Sequence, residues 1–153
     1  MEDNPRIEIR RACEADRGDV LAVLRTANFD DIGSPEMPEF PLSECFVAVA
    51  DGNIVGVGGY HILDAENAKT TLLAVHPAWR GLGIGNMLQE VRLDIMKAAG
   101  VKRIYTNTDD DAVIAWLERH YSFRRSGKLV PKVYPFGRSD RDHWVNMVWE
   151  RLT

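Results

Sequence analysis

The sequence predicts an α/β domain in which one mixed sheet carries helices on its faces. Three observations lead there. Short β-rich runs are interleaved with stretches of helical periodicity. Two of those runs are joined by Asp51-Gly52, the dipeptide of a tight hairpin. A third run ends in a glycine-rich turn that opens an amphipathic segment closed by Gly100. With 153 residues, no internal repeat and no linker, the chain reads as a single domain over residues 1–153, long enough to bury its own core.

The elements follow in order. Residues 6–10, Arg-Ile-Glu-Ile-Arg, alternate in polarity as a half-buried strand does. Asp16 stands where a helix N-cap is expected, with Asp19 three residues on and Val20, Leu21, Val23, Leu24 and Ala27 at helical spacing. Residues 28–44 carry Gly33, Pro35, Pro38 and Pro41 and predict an irregular segment. The runs 45–50 and 53–57 form the hairpin, and Lys69 to Val75 is the next strand. Gly83 to Ala99 places Ile84, Met87, Leu88, Val91 and Ile95 on one helical face. Val101 to Asn107 is a strand. Asp109, Asp110 or Asp111 caps a helix carrying Val113, Trp116, Leu117 and Tyr121. Final strands are predicted around Leu129–Tyr134 and Trp144–Leu152, joined by a turn from Pro135 to Asp142. The glycines of Gly56-Val57-Gly58-Gly59 fall inside a strand pattern and mark a bulge or a close backbone approach.

Composition narrows the function. The chain is 45% hydrophobic and 27% charged, as an ordinary globular protein is. A net charge of −4 and no Lys/Arg run beyond two residues argue against a nucleic-acid partner. No 18-residue apolar run exists to span a membrane. The acidic start, Met1-Glu2-Asp3-Asn4-Pro5, lacks the apolar segment of a signal peptide. Two cysteines, Cys13 and Cys45, fit a reducing compartment better than a disulfide framework, so a cytoplasmic location is expected. The four histidines show no metal-ligand spacing, and no metal site is expected.

Chemistry concentrates between Val75 and Asn86. A helix N-terminus offers free N–H groups and the positive end of its dipole, which attract phosphate. A pyrophosphate approaches closely only if the turn before the helix lacks side chains, and Gly81, Gly83 and Gly85 supply that lack. Arg80 adds a guanidinium at the rim. Glycines alone leave a plain strand–helix turn as an equal reading. The run has neither the sixth-position glycine of a dinucleotide fingerprint nor the Gly-Lys-Ser/Thr of a P-loop.

The longer run from Leu72 to Leu88, with Val75-His76-Pro77 and Trp79-Arg80-Gly81 inside it, resembles the acyl-CoA-binding motif of the GNAT family of N-acetyltransferases. That family's core pattern, Arg/Gln-x-x-Gly-x-Gly/Ala, is matched by Arg80, Gly83 and Gly85. The resemblance implies a central, mostly antiparallel sheet, splayed between its fourth and fifth strands, with helices on both faces. It implies acetyl-CoA as co-substrate and an amine as acceptor, with the acyl group passed directly between them. Leu73, Ala74 and Val75 would pair with the pantetheine arm. The amides of Gly81, Leu82, Gly83, Ile84, Gly85 and Asn86 would hold the pyrophosphate beside Arg80, and the Val75 N–H would stabilise the oxyanion. A dimer through the terminal strands is common in this fold.

The remaining roles are less legible. An amine with a pKa of roughly 10 must lose a proton before it attacks. Where many family members carry a glutamate, this chain has Lys69, Thr70 and Thr71. Glu66, with His61 and Asp64, stands upstream either as a base or as a solvated turn residue. The family's acidic tyrosine falls at Leu117 or Glu118, and Ser122 stands for its glycine. Tyr121, one turn beyond Leu117, reads either as the acid beside the sulfur or as a core aromatic. The acceptor pocket is expected from residues 28–44 and the last two strands, where Asp140, Asp142 and His143 are candidate contacts. A non-catalytic acyl-CoA-binding domain is the alternative reading.

Overall fold

The computed structural model describes residues 6–26, 41–132 and 140–152. Residues 28–40 of the irregular segment predicted over 28–44, Ala27, Tyr134 and the turn residues 135–139 lie outside the described residues.

Among the described residues, seven strands form one sheet in the order β1-β2-β3-β4-β5-β7-β6. They are β1 (Ile7–Arg11), β2 (Cys45–Ala50), β3 (Asn53–Ile62), β4 (Asn67–Val75), β5 (Arg103–Thr108), β6 (Arg124–Pro131) and β7 (His143–Glu150). The helices among the described residues are α1 (Arg17–Thr26), α2 (Ile84–Ala98) and α3 (Asp111–His120). The pairing of β1 with β2, β2 with β3, β5 with β7 and β6 with β7 is antiparallel. β4 and β5 run parallel and pair only through Asn67, Ala68 and Lys69, opposite Arg103, Ile104 and Tyr105. The mixed, mostly antiparallel sheet matches the expectation from sequence.

Two compact units emerge, one comprising Met1–Tyr60 with Thr71–Ile95, the other His61–Thr70 with Met96–Thr153. In the first, Asp51 and Gly52 both take positive φ, as the tight primed hairpin turn between β2 and β3 requires. Val20, Val23 and Leu24 of α1 pack with Val47, Val57, Leu72 and Ala74 of the strands. Helix α2 covers the opposite face. A side chain at Gly56 would lie 3.1 Å from both Ile84 and Leu88, and one at Gly58 would lie 3.2 Å from Leu88. The strand glycines therefore serve close approach: they let α2 settle onto the backbone of β3.

In the second unit, Asp110 is the cap chosen from three aspartates, its carboxylate accepting from the N–H groups of Ala112 and Val113. Trp149 of β7 lies under the cations of Lys97 and Arg151. The buried Thr70 hydroxyl donates to that of Thr106 at 2.6 Å, one step beyond the last β4–β5 pair.

Several boundaries differ from expectation. Asp16 is not an N-cap; it ends a 3-10 turn, Glu14–Asp16, that precedes α1. Its carboxylate accepts from the Cys13 N–H at 2.8 Å and from both Arg10 amino groups at 2.7 and 2.9 Å. The Arg10 guanidinium, helped by the Cys13 amide, holds that carboxyl well below the usual carboxylate range. β6 begins at Arg124, five residues before the predicted start, because Gly127 with φ +88 allows the irregularity between Arg125 and Leu129 without ending the strand. Tyr121 is not on α3 but caps its C-terminus.

Candidate functional site

β4 alternates cleanly, with Leu72 and Ala74 buried and Leu73 and Val75 half-buried. The strand ends where the His76 N–H donates to the Val55 carbonyl at 2.8 Å. In extended chain successive N–H groups point to opposite edges, so the Val75 N–H is turned away from β3. Pro77 then starts a 3-10 turn, Pro77–Trp79, and the His76 Nδ1 accepts from the Ala78 N–H at 3.1 Å. His76 thus punctuates the strand end, as expected from its place in the motif.

The chain next bends inward at two glycines. Gly81 has φ +83 and Gly83 φ +80, the left-handed region that residues with a Cβ rarely enter. At Gly81, Gly83 and Gly85 a Cβ would meet nothing within 4 Å, so open space lies over all three backbones. Gly83 accepts from the Met87 N–H at 3.0 Å and opens α2. The N–H groups of Ile84 and Gly85, in the first turn, have no carbonyl a turn earlier to bond. Arg80 and Leu82 are exposed beside this turn. Positive φ, bare backbone and a 15-residue helix N-terminus together make a cradle suited to a pyrophosphate.

The inner face of α2 differs from the predicted one. Ile84, Leu88, Gln89, Arg92, Leu93 and Met96 are buried, whereas Met87 is exposed and Val91 and Ile95 are half-buried. Two polar residues in the buried stripe mask its hydrophobic period, so the sequence points to a face rotated by about one residue. Arg92 is only 4% exposed. Its Nη1 donates to the carbonyls of Leu72 at 2.8 Å and Gly59 at 3.1 Å, and its Nε to Gln89 Oε1 at 2.7 Å. Nothing in the sequence pattern singles out this buried guanidinium except a break in apolar spacing.

The proton-transfer candidates lie in ordinary surroundings. Glu66 sits in the exposed turn before β4, 3.2 Å from Lys102 and 4.0 Å from Arg103, while Val75 closes the other end of the strand. Asp64 in the same turn accepts from the Glu66 and Asn67 amides, which hold its carboxyl below the usual range. Tyr121 is half-buried, its N–H donating to the Leu117 carbonyl and its ring edge-on to Trp116 at 4.9 Å. Ser122 takes φ +59, which explains why a glycine suits that position. Asp142 lies 2.7 Å from the His143 ring nitrogen, which lowers its pKa. Among the described residues no group of three His, Cys, Asp or Glu side chains is arranged to hold a metal ion. Nor is any described helix long and apolar enough to cross a membrane.

Comparison with known proteins agrees with this geometry. Residues 14–123 match the model of the Acetyltransferase (GNAT) family. The fold is similar to that of Ard1 from Thermoplasma volcanium, at 19% identity and TM-score 0.71 over 96% of this chain and 99% of that one. It is also similar to the ribosomal-protein-S18-alanine N-acetyltransferase from Escherichia coli, at 16% identity and TM-score 0.73 over 95% and 94% of the two chains. PaiA N-acetyltransferase from Thermoplasma acidophilum, solved in complex with coenzyme A, matches at 16% identity and TM-score 0.69 over 95% and 99%. The family match covers well over half of the sequence and includes the whole glycine turn, and the chain belongs to the acetyltransferase (GNAT) family.

Proposed function

We propose that the chain is an N-acetyltransferase that moves the acetyl group of acetyl-CoA to a primary amine by direct attack in a ternary complex. The observation that carries this reading is the turn in which left-handed Gly81 and Gly83 lead from exposed Arg80 into the N-terminus of α2. The amides of Gly81, Leu82, Gly83, Ile84, Gly85 and Asn86 hold the pyrophosphate, and Arg80 pairs with it from the rim. Leu73, Ala74 and Val75 offer backbone groups to the pantetheine arm. The family match runs through both compact units, which supports reading residues 1–153 as one acetyltransferase domain.

The transfer then follows from polarity. The amine nitrogen attacks the thioester carbon, and the charge that develops on its oxygen is met by the Val75 N–H. The carbon–sulfur bond breaks, the thiolate takes up a proton, and the amine's own proton leaves to solvent or a base. Holding the two reactants in register supplies much of the acceleration. Glu66 as base and Tyr121 as acid gain no support from their surroundings: one is ion-paired to Lys102, the other packs on Trp116. Those two observations favour a second reading, an acyl-CoA-binding domain without turnover. Cys13 and Cys45 are free thiols, in keeping with a cytoplasmic setting.

A panel of polyamines, amino acids, aminoglycosides and peptides, assayed for thiol release from acetyl-CoA, separates the readings. Amine-dependent release supports the enzyme. Tight acetyl-CoA binding with no turnover on any amine supports the binding domain.

A further inference from the structure

We infer that Arg92 is a positioning residue that holds the Leu72–Leu73 peptide of β4 in the orientation needed to receive the pantetheine arm; this rests on the acyl-CoA reading above. Arg92 is 4% exposed and cannot shed its charge, so burying it is costly unless its N–H groups are well placed. One nitrogen, Nη1, donates to the Leu72 carbonyl at 2.8 Å and to the Gly59 carbonyl of β3 at 3.1 Å. In a trans peptide the C=O and the following N–H point in opposite directions. The Leu73 N–H is therefore turned away from Arg92. The β4–β5 pairing stops at Lys69, so this N–H lies beyond the last paired residue of that edge.

Two features show that the arrangement is built. Gly58 lets α2 lie close enough for the Arg92 side chain to reach the sheet, since a Cβ there would meet Leu88 at 3.2 Å and Arg92 at 3.8 Å. Gln89, fully buried, accepts from Arg92 Nε at 2.7 Å and fixes the rotation of the guanidinium plane. Its own Nε2 has no hydrogen-bond partner among the described residues. A leucine there would avoid that orphan donor. The glutamine is useful through its oxygen, which aims the fork at two strand carbonyls.

The test compares two ligands by calorimetry on the full chain: acetyl-CoA, and adenosine 3′-phosphate 5′-diphosphate, which is the same molecule without its pantetheine arm. Arg92→Met is expected to weaken acetyl-CoA at least tenfold while the nucleotide half keeps its affinity within about twofold, because the glycine cradle is untouched. Arg92→Lys, which keeps a charged donor without the fork, should fall between wild type and Arg92→Met and serves if the methionine variant does not fold. Equal losses for both ligands mean general damage to β4 and α2 and overturn the inference, as do unchanged affinities for both. Wild-type protein that binds neither ligand overturns the acyl-CoA reading and the inference with it, an outcome distinct from all the others.

Discussion

The Asp109 carboxylate and the Lys132 ammonium lie 2.7 Å apart, with 7% of each side chain exposed. The ammonium also sits 4.5 Å from the centre of the Trp144 ring, and Arg141 Nη1 donates to the Asp109 backbone carbonyl at 2.9 Å. This cluster ties together the ends of β5, β6 and β7. Removing one partner of a buried pair strands the other charge, at a cost of about 3–5 kcal/mol. Lys132→Met is therefore expected to lose that much stability in urea unfolding. The double variant Asp109→Leu/Lys132→Met should recover a good part of it. A single variant within 1 kcal/mol of wild type contradicts the assignment.

The close seat of α2 on β3 gives a second prediction. Gly58→Val forces atoms into space held by Leu88 and Arg92, and overpacking of this kind costs about 1–3 kcal/mol. A fall in Tm of roughly 3–10 °C is expected, with a parallel loss of acetyl-CoA affinity as Arg92 is displaced. A Tm unchanged or raised in the variant argues that α2 packs less tightly than described.

Sequence periodicity predicted most of this fold, and the reasons for its failures are local. The hairpin was legible because Asp51-Gly52 has few conformations open to it. The glycine turn is legible because Gly81 and Gly83 take left-handed φ that residues with a Cβ rarely enter, and because the residues flanking them extend the resemblance to a known family motif. The inner face of α2 is not legible because Gln89 and Arg92 occupy buried positions whose periodicity apolar residues would normally carry. Asp16 reads as a cap in the sequence, but it closes the 3-10 turn by accepting from the Cys13 amide, and its pairing with Arg10 arises only once β1 and that turn come together. The early start of β6 depends on one left-handed glycine inside a charged run, a signal with no hydrophobic counterpart. The surroundings of Glu66 and Tyr121 are not legible in the sequence, since Glu66 pairs with Lys102, distant along the chain, and Tyr121 is placed by the end of α3.

The two thiols should react very differently. Cys45 is buried, and burial, with the nearby Glu44 charge, pushes its pKa up to about 11. Cys13 is exposed. At pH 8 an aromatic disulfide reagent is expected to titrate one thiol rapidly in native protein and the second only on unfolding. Replacing Cys13 by serine should abolish the fast phase. Two fast thiols in the native protein contradict the burial of Cys45.

Asp16 gives the pH dependence a defined sign. Folding lowers its pKa below the unfolded value of about 3.9, so its contribution is complete above that pH and is lost as pH falls through the folded value. Asp16→Asn should lower Tm by a few degrees at pH 7. The gap between variant and wild type should narrow steadily below pH ~4. A gap that stays constant down to acid pH shows that the Arg10 pair contributes little.

Calorimetric titration with acetyl-CoA tests most directly whether the turn from Arg80 to Asn86 is an acyl-CoA cradle. Wild type is expected to bind with a Kd on the order of 1–100 µM, within the usual range for enzyme substrates. Gly83→Val, which places a branched side chain where φ is +80 and over the bare backbone, should weaken binding at least tenfold, and Arg80→Ala severalfold. No heat with the wild-type protein, or the same affinity in all three, contradicts that role for the turn.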